Sequence, residues 1–464
     1  MAILNAIMVP HPPLILPAVG HGEEKGIQAT VSAYRTASRF IAEAAPDTIV
    51  LTTPHSVLYA DWFHISPGAG ASGSFAQFHA PEVRICVPYD VELADMLCRM
   101  ARVEQFPAGT EGEKSPELDH AAMIPLIFLK EAYGGRPLPP IVRIGLSGLP
   151  LTEHYRLGMM IRSAAEKLGR RISVIASGDL SHRLKEDGPY GFRVEGPAYD
   201  KRIMDVMGRA AFRELFDFPD AFCDRAGECG HRSFTIMAGC FDGQDVTGRV
   251  LSYEGPFGVG YGVGIFTPGA ADESRHFLKG ALGKENERLR TRKAREDEYV
   301  RLARLSVETF VKTRQSAQLP PDVSEALISR QAGVFTTLHK NGQLRGCIGT
   351  TEPTTSNIAL EILQNAISAC SRDPRFPPVR EEELPYLEYS VDVLGAPEEI
   401  DSPTQLDVRR YGVIVSCGSR RGLLLPDLDG VDSVEEQVAI ARRKGGIAVG
   451  ERVCLQRFEV VRHV

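Results

Sequence analysis

No stretch of the 464-residue sequence approaches the ~20 consecutive apolar residues that a membrane-spanning helix needs. The segment Met1 to Pro10 lacks the basic lead and cleavage pattern of a secretory signal. Cysteine is sparse: nine residues, an odd count, with no CxxC pair. That excludes a disulfide scaffold and points to reduced thiols in a cytoplasmic protein. Basic charge is not in excess, with 53 Lys and Arg against 60 Asp and Glu. The net charge of −7 argues against nucleic acid as the main partner. There is no internal repeat and no low-complexity tract. What is present is globular: 43% hydrophobic and 24% charged residues, in a chain too long for one core. A homo-oligomer is compatible with all of this.

The clearest break falls at 268–297, where ADESRHFLKGALGKENERLRTRKAREDEY is rich in charge and poor in apolar residues. It reads as a charged linker or the solvated start of a helix. Residues 1–267 alternate strand-like and helix-like runs, so the expectation is an α/β domain with a mostly parallel central sheet. AILNAIMVPH, TIVLTTPHS, IVRIGLSG and RISVIASGDLSH are the expected strands. Ile27, Val31, Tyr34 and Ile41 share one face of a helix. Gly258, Gly260, Gly262 and Gly264 fall at period two, which predicts the close approach of another backbone along one strand face. Residues 298–464 read as a smaller α+β domain. Asn341-Gly342 is the preferred type I′ pair of a hairpin, and Ser356 is a plausible N-cap for the helix that follows.

Three histidines occupy one situation. His11 follows AIMVP, His55 follows IVLTTP, and His182 follows VIASGDLS, each just past the carboxyl end of an expected strand. Ligands of open α/β sheets bind beyond those ends. Imidazole is the commonest metal ligand and carries protons near neutrality. A divalent metal also wants a counter-charge. Glu228 and Cys229 stand just before an expected helix, and Glu228 reads equally as a helix-start acid favoured by the dipole. Two histidines and one carboxylate make the facial triad of non-haem Fe(II) sites. Asp179 could orient an imidazole or serve a turn. His120 opens an apolar helix.

MVPHPP, TTPHS, LDHAAMIPL, SGDLSH and GECGHRSF, in this order, resemble the class III extradiol ring-cleavage dioxygenases and the Memo-like proteins that share their fold. The resemblance covers residues 1–267. It implies His11 and His55 as iron-binding histidines, Glu228 as the carboxylate ligand, His182 as the catalytic acid–base, and His120 as a substrate contact. Asp179 matches an acidic residue of the Memo-like cleft. The chain departs from the Memo-like CGRxP pattern, in which cysteine is the third ligand, because it carries both Glu228 and Cys229. Glu228 is the expected ligand, with Cys229 and then Glu254 as alternatives. The implied activity is ring cleavage of a catecholic or aminophenolic substrate with Fe(II), and Zn(II) can occupy the same ligands. A metal-binding Memo-like module without dioxygenase activity and a zinc hydrolase are the competing expectations.

LRGCIG at 344–349, RDPRF at 372–376 and GLLLP at 422–426 resemble the AMMECR-type domain, over 298–464. Cys347 beside Arg345 could be an activated thiol or a small buried residue, and Arg372 and Arg375 could bind an anion. The fusion resembles the AmmeMemoRadiSam system proteins. That implies a separate radical S-adenosylmethionine partner, since no CxxxCxxC cluster is present here.

Overall fold

The computed structural model describes residues 2–428 and 430–464, which divide into two compact units at Glu285/Asn286. The first unit is built on six strands: β1 (Ile3–Val9), β2 (Thr48–Thr53), β3 (Ile141–Gly145), β4 (Ile172–Ser177), β5 (Gln244–Glu254) and β6 (Tyr261–Ala271). Their order is β3-β2-β4-β1-β6-β5. The pairs β3/β2, β2/β4 and β4/β1 are parallel, while β1/β6 and β6/β5 are antiparallel. Three of the five pairings are parallel, so the sheet is mixed rather than wholly parallel. The difference comes from the final hairpin, in which β6 returns against β1.

Helices cover both faces. Alternate residues of β1, β2 and β4 enter two separate cores: Ile7, Val9, Ile49, Leu51 and Ile175 on one side, and Ala6, Met8, Val50, Val174 and Ala176 on the other. Burial on both faces explains why these strands read as continuous apolar runs. The first core takes helices α1 (Gln28–Ala44) and α3 (His120–Tyr133); the second takes α2 (Val91–Val103), α4 (Leu151–Leu168), α5 (Glu195–Gly208) and α6 (His231–Cys240). Ile27, Val31, Tyr34 and Ile41 are all buried, as their spacing predicts.

The glycine pattern near the end of the unit has a different cause from the one expected. Only Gly262 and Gly264 lie within β6. A Cβ at Gly260 would collide with the Asp200 carboxylate, and one at Gly262 would meet Met204 and Leu180. Another backbone comes close only at Gly258, which faces Gly188 and has a positive φ of 87°. The space is kept mainly for side chains.

The charged segment after residue 267 is not a uniform linker. Residues 268–271 complete β6, and Leu278–Arg295 forms helix α7. In the second unit, helices α8 (Glu298–Thr313) and α9 (Ile358–Ser371) pack on a sheet made of β7 (Val334–Lys340), β8 (Gln343–Gly349), β9 (Leu387–Leu394), β10 (Glu398–Ile400), β11 (Tyr411–Cys417), β12 (Arg420–Leu424) and β13 (Cys454–His463). All its pairings are antiparallel, in the order β8-β7-β9-β13-β11-β12, with β10 also paired to β13. Asn341 and Gly342 both have positive φ, 54° and 76°, as a type I′ turn requires. Asn357, not Ser356, caps α9: its side chain accepts the Leu360 N–H at 2.9 Å. Among the described residues no helix is long and apolar enough to cross a membrane.

One close helix crossing sets the position of α6 and of the loop before it. A Cβ on Gly239 would sit 2.0 Å from the Tyr155 carbonyl oxygen, and one on Gly158 would sit 2.0 Å from that of Ile236. Backbone, not a movable side chain, blocks both. Gly239→Ala should therefore destabilise the first unit by about 3 kcal/mol, the upper end of overpacking costs. Gly283→Ala, in an exposed turn of α7 with nothing within 4 Å, should be neutral or stabilising by up to about 1 kcal/mol. Thermal unfolding of both variants checks the pair.

Candidate metal centre

The strand order brings the expected histidines together. β2, β4 and β1 are neighbours and parallel, so their carboxyl ends lie side by side. His11 leaves β1, His55 leaves β2, and Asp179 and His182 leave β4. The turn at His11 is fixed from three directions. Tyr34 donates its hydroxyl to the Pro10 carbonyl at 2.9 Å. The His11 backbone N–H donates to Asp179 Oδ1 at 2.7 Å. The His11 ring meets the Ser177 hydroxyl through Nδ1 at 3.0 Å, while that hydroxyl donates to the Ala121 carbonyl at 2.7 Å. With its proton so committed, the Ser177 oxygen can only accept from His11, so Nδ1 carries the ring proton. The lone pair on Nε2 then faces outward, the arrangement that a second-sphere hydrogen bond imposes on a metal-ligating histidine.

Around His11 Nε2 lie His55 Nε2 at 3.0 Å, Cys229 Sγ at 3.6 Å and Asp179 Oδ2 at 3.8 Å. His120 completes a three-imidazole cluster with His11 and His55. Its ring stacks on His55 at 4.6 Å and meets the edge of His11 at 5.5 Å. Asp119 caps the helix that His120 opens, accepting the Ala122 N–H, and also takes the Thr53 hydroxyl. It thereby ties His120 to the end of β2. His182 stands beside this cluster, its ring stacked on Tyr190 at 5.2 Å. Its Nε2 is buried and without a hydrogen-bond partner among the described residues.

Burial governs the charge of these groups. It holds the His11 imidazole far below its ordinary value, with the neighbouring histidines adding to the effect. It pushes His120 and His182 down to about 4 and raises the Asp179 carboxyl to about 7, with the His11 N–H pulling the other way. The imidazoles are therefore neutral near pH 7 and offer lone pairs. Two neutral ring nitrogens 3.0 Å apart can share one proton or one cation, and about 3 Å is the separation expected of adjacent nitrogen ligands whose bonds to a divalent metal are ~2.1 Å long. The donor set fits a transition metal.

The two carboxylates expected as ligand and alternative point elsewhere. Glu228 accepts the His231 N–H at 2.6 Å, the position of a helix-start acid on α6. Glu254, the last residue of β5, accepts both the backbone N–H and the hydroxyl of Thr30 at 2.6 Å. Cys229 faces His11 instead, held by the Asp179 N–H donating to its sulfur at 3.2 Å. Ser177 and Tyr190 were not foreseen. Ser177 could have been found as a hydroxyl at the end of β4, two residues before Asp179. Tyr190, in a loop, carries no such signal.

In the second unit, Cys347 sits on β8 with the Thr337 hydroxyl donating to its sulfur at 3.2 Å. Arg345 is committed to Glu383 and to the Pro377 carbonyl, and Arg375 pairs with Asp373. Burial pushes the Cys347 thiol up, so the expected activation by Arg345 is not built here. Arg375 likewise spends its charge on Asp373 rather than on an open anion site.

Residues 5–264 match the family model described as the catalytic LigB subunit of aromatic ring-opening dioxygenase, and residues 300–463 match AMMECR1. The chain belongs to the LigB family and carries an AMMECR1 domain at its C-terminal end. A protein of Clostridium acetobutylicum is 39% identical over 100% of this chain and 99% of its own length, so the two-domain arrangement recurs there. A Thermotoga maritima protein is 49% identical over 36% of this chain and 98% of its own. Among solved structures, an uncharacterized Pyrococcus horikoshii protein covers 35% of this chain and 88% of its own at 33% identity, with a TM-score of 0.34. An uncharacterized Escherichia coli protein covers 57% of this chain and 99% of its own at 15% identity, with a TM-score of 0.37.

LigB domains bind a metal, and the cluster on His11 is where this one offers ligands. His11→Ala and His55→Ala should each abolish stoichiometric binding of a divalent transition metal by the full chain, read by elemental analysis. Cys229→Ser should weaken binding at least ten-fold, the lower end of the effect of disturbing a metal site. Glu228→Gln should keep the metal, because glutamine can still accept the His231 N–H. Loss of metal in Glu228→Gln with retention in Cys229→Ser would reverse this assignment.

Proposed function

We propose that the LigB domain is a mononuclear iron(II) oxygenase that opens the ring of a catecholic or aminophenolic substrate. The observation that carries the reading is the unpartnered, buried Nε2 of His182 beside a cluster of neutral imidazoles centred on His11. A base of low proton affinity takes a phenolic proton only when that phenol has been made acidic. Held by the donors that surround His11, namely His55 and His120 on one side and Asp179 and Cys229 on the other, iron(II) would supply that acidification together with the redox chemistry that dioxygen requires.

The chain's own residues do the rest. His11 is immobilised through Ser177 and Asp179 and cannot turn away. His55 is solvent-exposed and marks the open side through which a small aromatic can enter. His120, held at the start of α3, is placed to contact a ring oxygen. His182 Nε2 accepts the phenolic proton and returns it to the opening ring, a general acid–base role worth roughly 10²–10⁴-fold. Tyr190 stacks on the His182 ring and keeps its plane fixed.

A second reading follows from Cys229. A thiolate donor suits zinc as well as iron, and a zinc-loaded site would serve as a metal module without oxygen chemistry. Metal analysis of anaerobically purified full-length protein, followed by oxygen-uptake measurements with catechol and 2-aminophenol, separates the two. The dioxygenase reading expects bound iron and substrate-dependent uptake. In His182→Ala it expects iron to be retained and turnover to fall at least about 100-fold. Iron-loaded protein that consumes no oxygen with either substrate, or turnover unaffected in His182→Ala, overturns it.

A further inference from the structure

A second concavity lies wholly within the second unit. It has a volume of about 480 Å³ and opens between the last turns of α7, helix α8 and the segment Leu384–Glu388. Five cationic side chains line it: Arg290, Arg292, Lys293, Arg304 and Lys312. Only two carboxylates do, Glu308 and Glu388. Leu289, Leu384 and Pro385 form an apolar wall.

The charges are unequally spent. Glu388 is buried and held by Arg292 and by Arg288, the latter at 2.8 Å. Although burial works against it, these guanidinium groups keep the Glu388 carboxyl below its ordinary range. Arg304 is bonded through its guanidinium to Glu296 and lies over the Tyr389 ring at 4.5 Å, which makes it a rigid floor. Glu308 must then serve what remains. Lys293 stands 3.8 Å from it, Lys312 3.7 Å and Arg304 3.5 Å. The two lysine distances are beyond hydrogen-bond length, so neither ammonium donates a proton to this carboxylate. Arg290 adds a further exposed cation on the same wall. The cavity carries three more cations than anions on its lining, in a concave surface that keeps part of the surrounding water away and strengthens their field.

We propose that this cavity binds a small organic phosphate. Its anionic group takes the unspent N–H donors of Lys293, Lys312 and Arg290, and its organic part lies against Leu289, Leu384 and Pro385. A lone inorganic ion would use only a fraction of 480 Å³, a volume typical of small-molecule sites. The apolar wall has no role for such an ion.

The test is calorimetric titration of the full chain with inorganic pyrophosphate, with ADP as an organic diphosphate, and with a single-stranded oligonucleotide. The proposal expects one site per chain, tighter for ADP than for pyrophosphate. Arg290→Glu and Lys312→Glu should each weaken ADP binding by about ten-fold or more, as expected for the loss of one charge-assisted hydrogen bond. Both positions lie on exposed helix surfaces; circular dichroism verifies the fold, and Arg290→Glu alone suffices should Lys312→Glu misfold. His55→Ala, in the other unit, should leave ADP binding unchanged. Absence of saturation by ADP at millimolar concentration overturns the proposal, as does ADP binding that survives Arg290→Glu. Pyrophosphate binding with no gain for ADP overturns the organic ligand. Oligonucleotide binding that is tighter than ADP and competes with it replaces the proposal with a nucleic-acid groove.

Discussion

The hydrogen bond from the His11 backbone N–H to Asp179 joins the ends of β1 and β4, and the centre depends on it. Parallel strands deliver their carboxyl ends to one edge but do not fix the loops that follow. Here one buried carboxylate fixes the backbone of the first loop, while its own N–H holds the sulfur of Cys229 from the loop before α6. Ser177, the last residue of β4, then sets which nitrogen of His11 faces outward. Three chain segments are thus brought to one atom, His11 Nε2, by hydrogen bonds between backbone and side-chain groups.

Burial does the electrostatic work. A cluster of imidazoles could repel itself apart if each were protonated. Desolvation instead holds His11, His120 and His182 neutral, so the cluster costs little charge repulsion and presents lone pairs. The same burial raises the Cys229 thiol well above its ordinary value. A metal would have to displace that proton, and binding would therefore release protons and strengthen as pH rises. His182 stands beside the cluster, with its ring stacked on Tyr190 and its Nε2 without a hydrogen-bond partner among the described residues.

Much of this was legible in the sequence because strand ends announce themselves. β1, β2, β3 and β4 fall where short apolar runs end in Pro-His, Ser-Gly or Ser-Gly-Asp, and His11, His55 and His182 could be placed at one edge from that alone. The Asn-Gly turn of the β7–β8 hairpin was equally readable. What was not legible depends on which way adjacent side chains turn. Glu228 and Cys229 are consecutive residues, and only the path of the loop into α6 decides that the carboxylate meets a backbone N–H while the thiol meets His11. Arg345 is likewise two residues from Cys347 in sequence, yet its guanidinium is bound to Glu383. The antiparallel return of β6, which makes the sheet mixed, follows from tertiary pairing that a local pattern does not encode. Ser356 and Asn357 are both good caps, and the choice between them rests on one residue of helix phase.

The central claim is that sulfur from Cys229, rather than a carboxylate from Glu228, joins His11 at the metal. X-ray absorption at the metal edge of the reconstituted full-length protein measures this directly. The account predicts imidazole scattering together with one sulfur shell at ~2.3 Å, the usual metal–thiolate length, with the sulfur shell absent in Cys229→Ser. A first shell of nitrogen and oxygen alone in the unmutated protein would contradict it.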